Sequence, residues 1–201
     1  MTPDPQQPIL VFVAGPNGSG KSTFFAEYLE HLGLPCVNAD HIARMLRART
    51  PKAPDDTLDR RAFAEAERLR AALVEAGVSF CTETVFSDPK GAKLKLLAAA
   101  RAGGFAVVLI FICLDSAALS IARVRQRVQQ GGHGVPEVKL RARFPRTLAN
   151  MRAAIPIADE AFLFDNSSFD TPYRAVAVYR GGQIVSRHPP LPSWTHGLPG
   201  L

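Results

Sequence analysis

The sequence predicts an α/β domain built on a mostly parallel five-stranded sheet with helices on both faces. Three observations predict it. Short apolar runs rich in β-branched residues alternate with segments of helical period. The first run ends in a glycine-rich turn, Gly15-Pro16-Asn17-Gly18. The polar residues Asp40, Glu83 and Asp115 each stand at the carboxyl end of such a run, where parallel sheets gather their ligands.

The elements follow in order. Ile9 to Ala14 is a continuous apolar run, hence a strand buried on both faces. Ser22 to Leu32 spaces Phe24, Phe25, Tyr28, Leu29 and Leu32 along one helical face. A short strand around Pro35 to Asn38 leads through Asp40 into a helix from His41 to about Arg49. Thr50 to Asp56, with two prolines and two aspartates, reads as a loop. A long helix follows from Leu58 to Ala76 and is closed by Gly77. Val78 to Val85 is the next strand, and a helix from Pro89 to Ala102 ends at Gly103-Gly104. Ala106 to Leu114 is the most hydrophobic strand. Two helices, Ala117 to Gln130 and Glu137 to Ala154, flank Gly131-Gly132 and form an arginine-rich helical lid. Ala161 to Asp165 is the fifth strand. Tyr173 to Arg187 alternates as a C-terminal β-hairpin turning at Gly181-Gly182. The proline-rich stretch beyond His188, with Trp194, shows no period. The whole is expected to be one domain over 1–201, with its core at about 9–167 and the hairpin and tail at about 173–201.

Bulk properties narrow the setting. The 201 residues are 47% hydrophobic and 21% charged, as in an ordinary globular protein. No apolar run is long enough to span a bilayer, and Met1 to Pro8 is too polar for a signal peptide. Cys36, Cys81 and Cys113 match no zinc spacing, and their odd number fits a reducing, cytoplasmic interior. A net charge of +6 suits a polyanionic partner, and much of it lies between Arg123 and Arg152.

Gly15, Pro16, Asn17, Gly18, Ser19, Gly20, Lys21 and Ser22 match G-x-x-x-x-G-K-[ST] between a strand and a helix, the context that gives the motif its meaning. Glycines let successive backbone N–H groups turn onto a phosphate, and the helix start adds its dipole. The expected fold is therefore the P-loop NTPase fold, with ATP or GTP cradled from Gly15 to Thr23. Lys21 is expected on the β- and γ-phosphates and Ser22 on Mg²⁺. The N-K-x-D motif of GTP switches and the L-S-G-G-Q signature of transporter ATPases are both absent. Asp115 stands where a Walker B acid would, although Asp115 and Ser116 also suit a helix cap.

Asn38-Ala39-Asp40, Thr82-Glu83-Thr84-Val85-Phe86-Ser87, the run Arg123 to Val128 with Gly131 to Pro136, and Asp165-Asn166-Ser167 together resemble the zeta-toxin-like kinases over Ile9 to Ser167. Members phosphorylate a sugar hydroxyl, best known on UDP-N-acetylglucosamine, and several are toxins paired with an antitoxin. The resemblance implies an ATP-dependent kinase with a small-molecule acceptor and, where the toxin role carries over, an antitoxin partner; a nucleic-acid end kinase and a non-catalytic nucleotide-gated binding module are the alternative readings. It makes Asp40 the general base, with helix N-cap as its bland alternative. Glu83 becomes a contact to acceptor hydroxyl or Mg²⁺-bound water, or else a salt bridge to Lys21. Arg123 approaches the triphosphate from the lid with Arg127, and Asn166 lines the adenine pocket. The acceptor side is expected to comprise Asp40, Arg44, Glu83, Thr84 and His133. Near His133 the sequence departs from the best-known members, which carry another arginine. Arginines so spaced also form a solvated helix face. Arg141, Arg143, Arg146 and Arg152 extend the basic stripe, but Phe144 is the one aromatic among them, which fits nucleic acid poorly.

Overall fold

A computed structural model describes residues 7–50, 52–132 and 134–201. The apolar runs become strands β1 (Ile9–Ala14), β2 (Cys36–Asn38), β3 (Phe80–Thr84), β4 (Ala106–Cys113) and β5 (Glu160–Asp165). They lie parallel in the order β2-β3-β1-β4-β5. The sheet does not stop at five. The hairpin strands β6 (Arg174–Arg180) and β7 (Gln183–Arg187) continue it antiparallel beyond β5, giving seven. The sequence separates the hairpin from the sheet because alternation fixes a strand's faces but not its neighbour.

Strand β1 is central, which explains its unbroken apolar run. Leu10, Phe12 and Ala14 join the larger core on one face, and Val11 and Val13 join a second core on the other. Strand β4 divides likewise, with Leu109 and Phe111 on the first side and Ile110 and Ile112 on the second. Helix α4 (Ala92–Ala102) and helix α6 (Glu137–Ala154) cover the larger core through Leu97, Ala100, Phe144 and Met151. The second face is covered by α1 (Lys21–Phe24), whose Phe24 is buried there. The helical path continues from α1 through a wide π-type turn, Phe25–Leu29, and a 3-10 turn, Glu30–Leu32.

Helix α2 (Ala39–Arg49) begins two residues earlier than His41, because the Asn38 side chain caps it. Helix α3 (Asp55–Glu75) takes in the end of the expected loop, while Pro51 lies outside the described residues. Strand β3 is shorter than expected at both ends, and α4 begins at Ala92 where the Asp88 carboxylate accepts its N–H at 2.7 Å. Helix α5 (Ala117–Gln129) is capped by Ser116, which accepts from Leu119 N at 3.1 Å. It packs on α6 through Ile121, Val124 and Leu140.

The order of strands positions the site. The chain runs outward from β1 to β2, returns to β3 and crosses to β4, so direction reverses on either side of β1. That switch point opens a crevice at the carboxyl end of β1, where the glycine-rich loop leaves.

The unpatterned tail is docked. Trp194 is 3% exposed, with its ring 6.1 Å from that of Phe111, and Tyr179 Oη donates to Pro199 O at 2.9 Å. Trp194→Ala should lower the unfolding free energy by about 3–5 kcal/mol, the usual cost of emptying so large a buried volume. Urea denaturation at constant m-value checks it.

Candidate active site

The loop after β1 requires glycine at two points. Gly15 has φ 151°, and a Cβ there would stand 2.0 Å from the Ile112 carbonyl oxygen of neighbouring β4. Gly20 has φ 90°, and a Cβ would stand 2.6 Å from Asn166 Nδ2 and 2.9 Å from the Tyr173 hydroxyl. Both contacts are real supports. Asn166 Nδ2 donates to Ser19 O at 2.9 Å, and Tyr173 Oη donates to Gly20 O at 3.0 Å. From α5, Ser120 Oγ donates to Asn17 O at 2.6 Å. The loop is thus held by its carbonyls from three sides, which leaves its N–H groups to form an anion nest. Asn17 Oδ1 and Ser19 Oγ are buried there without a hydrogen-bond partner.

Lys21 is 7% exposed and donates to Pro16 O at 2.9 Å. Burial pushes its pKa below the usual lysine value, the carboxylates of Glu83 and Asp40 oppose the shift, and Arg127 adds to it. It does not pair with Glu83. That carboxylate instead accepts the Ser22 hydroxyl at 2.9 and 3.0 Å and Asn38 Nδ2 at 2.8 Å. The register explains the meeting, since Glu83 is paired with Asn38 on one side and Val13 on the other.

Asn38 uses its other end on α2, accepting from Asp40 N at 2.8 Å and His41 N at 3.3 Å. This corrects the helix-cap alternative for Asp40: Asn38 is the cap. Asp40 stands in the first turn with its side chain in the crevice. Arg143 of α6 faces it, its pKa lowered by burial and held up by the Asp40 charge.

The crevice is a cavity of 730 Å³. It joins Gly18, Gly20, Lys21, Ser22, Thr23, Asp40, Glu83 and Thr84 with the lid residues Arg123 and Arg127. Arg123 donates to Ser167 O at 3.2 Å, and its guanidinium lies 4.8 Å from the ring centroid of Phe169. Its Nε is buried without a partner, and burial lowers its pKa. Thr84 Oγ1 accepts from Phe86 N at 3.2 Å. A second hollow of 1160 Å³ shares Ser22, Asp40, Arg127 and Arg143 with the first and reaches Arg44. Pro16 carries the carbonyl that Lys21 meets, while Asn166 lies behind the loop, its amide committed to Ser19 and Tyr173 N. His133 lies outside the described residues. Asp115 is turned away from the loop, with its N–H donating to Ser167 and its carboxylate accepting from Ser193, so it holds no Walker B position.

Sequence reasoning passed over Arg70 and Lys93, took Asn38 only as part of a motif and Arg143 and Arg146 only as part of a basic stripe, yet all five line the cavity. Arg143 and Arg146, three apart on α6, carried a helical signal. Arg146 donates to Ser87 O at 3.1 Å. Phe144, between them, is a core residue.

The donor set at Ser22 and Glu83 is all oxygen, beside a phosphate loop. Such a set fits Mg²⁺, which takes one or two protein oxygens, keeps several waters and binds through substrate phosphates.

A sequence model of the AAA domain family matches residues 10–152. An uncharacterized protein of Haemophilus influenzae is 27% identical over 134 residues, 67% of this chain and 91% of that protein. Among solved structures, a chain of AvrRxo1-ORF1:AvrRxo1-ORF2, crystallised with sulphate ions, superposes with a TM-score of 0.71 at 20% identity over 90% of this chain. The chain spans 61% of that chain's length. The same pair has been crystallised with ATP. A structure from the PezAT toxin-antitoxin system of Streptococcus pneumoniae gives 0.63 at 17% identity, over 88% of this chain and 72% of that one. At such identities the likeness shows the fold, a P-loop kinase-like fold with a C-terminal antiparallel hairpin.

Gly20→Ala should strain the loop by about 1–3 kcal/mol and displace Asn166 from Ser19. ATP affinity is expected to fall about tenfold or more, by the equivalence of 1.4 kcal/mol to a decade. Calorimetric titration with ATP and Mg²⁺ checks it.

Proposed function

The chain belongs to the AAA domain family, and on that footing we propose that it is an ATP-dependent kinase. It transfers the γ-phosphoryl group to a hydroxyl of a small metabolite, in the manner of the zeta-toxin-like kinases. The observation that carries this reading is Asp40. Its carboxylate opens into the same 730 Å³ cavity as Lys21, Ser22 and the lid arginines, on a helix start fixed by Asn38.

The roles follow from position. Loop N–H groups and Lys21 bind the triphosphate. Ser22 and Glu83 would hold Mg²⁺, directly or through water; when bound, it neutralises charge on the β- and γ-oxygens. Asp40 takes the proton of the acceptor hydroxyl as that oxygen bonds to the γ-phosphorus and the bond to the bridging oxygen of ADP breaks. Arg123 and Arg127, which line the same cavity, take the role of stabilising the negative charge that spreads over the equatorial oxygens. Thr84 and Arg44 border the acceptor space, and His133 belongs with them by resemblance. The lid helices exclude water when the site is filled.

A structural neighbour crystallised with ATP supports ATP as the nucleotide of this reading, with GTP its alternative. An antitoxin protein is a partner suggested by the toxin-antitoxin context of the PezAT neighbour. Among the described residues no helix is long and apolar enough to cross a membrane. A nucleic-acid end kinase is disfavoured by the burial of Phe144, which leaves the arginine stripe of α6 without its stacking aromatic.

Asp40→Asn should retain ATP binding and lose about 10²–10⁴-fold in transfer, the usual worth of a positioned base. Mass spectrometry of a metabolite extract incubated with protein, ATP and Mg²⁺ reads the transfer, with Lys21→Ala as the blank. Transfer by Asp40→Asn at the wild-type rate would overturn the assignment.

A further inference from the structure

The cavity contains a second concentration of positive charge that phosphoryl transfer does not use. Helix α3 places Phe63, Glu67 and Arg70 on one face, and Lys93 meets them from α4. Arg70 and Lys93 line the cavity, yet their side chains are only 2% and 3% exposed. They share a single carboxylate oxygen: Glu67 Oε1 pairs with Arg70 Nη1 and, at 2.9 Å, with Lys93 Nζ. Arg70 Nε also donates to Thr82 Oγ1 at 2.7 Å, and Lys93 Nζ stands 4.2 Å from the Phe63 ring centroid.

Two buried cations on one carboxylate leave one positive charge uncompensated. Burying such a charge costs several kcal/mol unless a counter-charge completes it. Asp88 lines the cavity too, but it forms no ion pair with either cation among the described residues; its Oδ1 holds Ala92 N, and Oδ2 is buried without a partner. Arg146 adds a third cation from α6, its guanidinium on the Ser87 carbonyl. The side of the cavity bounded by α3, α4 and the 85–89 loop is therefore cationic independently of Lys21, Arg123 and Arg127.

We propose that Arg70 and Lys93 form a subsite for an anionic oxygen group on the acceptor, a phosphate or a carboxylate. This rests on the kinase reading, because it gives the second substrate of that cavity a chemical class: a hydroxyl compound that already carries negative charge. Arg70 offers the guanidinium edge that Thr82 and Glu67 leave untaken, and Lys93 a compact point charge, a pairing suited to an oxyanion. Glu67 neutralises one of the two charges and so sets how much of the pair's charge reaches a ligand.

The test titrates inorganic phosphate and, separately, acetate into full-length protein whose nucleotide site is saturated with Mg²⁺ and a non-hydrolysable ATP analogue. Wild type should bind phosphate, acetate or both, and the stronger arm distinguishes a phosphate-bearing from a carboxylate-bearing acceptor. Lys93→Gln should weaken that binding about tenfold or more, as expected for a lost charge-assisted hydrogen bond. Lys93→Arg should retain it. Glu67→Gln should strengthen it, because both cations then lack their carboxylate. A merely structural network would lower the melting temperature in the Gln variants and leave anion binding unchanged. Analogue binding with no anion response, or an equal response in wild type, Lys93→Gln and Glu67→Gln, overturns the subsite and spares the kinase reading. Failure to bind the analogue overturns the kinase reading and the subsite with it.

Discussion

The site depends on one carboxylate. Glu83, half-buried at the end of β3, accepts the Ser22 hydroxyl from the phosphate loop and the Asn38 amide from β2. A carboxylate in that position needs donors, since an unsatisfied one costs several kcal/mol. The donors come from two other segments, so the three carboxyl ends must stand level, and the pairing of Val13, Glu83 and Asn38 across β1, β3 and β2 makes them so. Asn38 carries the constraint one step further. With Nδ2 on Glu83, its Oδ1 faces the start of α2 and caps it. Asp40 is thereby fixed relative to Ser22 through two hydrogen-bonded side chains rather than through a long run of backbone.

A similar economy ties the lid to the sheet. The segment after β3 has lost its strand partners, so its carbonyls need other donors. Helix α6 provides them: Thr147 donates to Val85 O, Asn150 to Phe86 O and Asp88 O, and Arg146 to Ser87 O. Helix α5 is joined to the phosphate loop through Ser120. The two arginine-bearing helices are thus each anchored beside the cavity they line, and Arg123 and Arg146 are positioned by hydrogen bonds to the backbone carbonyls of Ser167 and Ser87.

Much of this was legible in the sequence, and the remainder was hidden for identifiable reasons. The strand-loop-helix at Ile9 to Thr23 announces itself because only glycines satisfy its φ values and close contacts. Asp40 and Asn38 are both good cap residues two positions apart, and sequence alone does not say which one the helix uses; the structure chooses Asn38 because Glu83 orients it. Arg70 was hidden differently. Leu58, Ala62, Ala66 and Arg70 form a buried stripe at four-residue spacing, but two alanines among many charges do not stand out as a core face. The small alanines leave room beside the sheet, and the long arginine fills the end of the stripe. Asn166 shows the limit of resemblance: its place behind the loop follows from Ser19 and Tyr173, which no local pattern connects.

The distribution of backbone strain supports the same location for function. Phe86 and Tyr173 are the non-glycine residues with positive φ among those described, at 60° and 51°. Each such residue costs about 1–3 kcal/mol and persists only where its surroundings over-determine it. Tyr173 is held by its hydroxyl on Gly20 O, by its N–H on Asn166 Oδ1 and by ring contacts to Phe24 and Tyr28. Phe86 is held by Thr84 Oγ1 on its N–H, by Asn150 on its carbonyl and by an edge contact to Phe12. One residue braces the phosphate loop from behind, and the other turns the chain that lines the opposite wall of the cavity. Two independent loops accept unfavourable backbone geometry at the places where a triphosphate and a second substrate would meet. Packing of the sheet asks for neither turn, whereas a cavity with fixed walls on both sides of Asp40 asks for both.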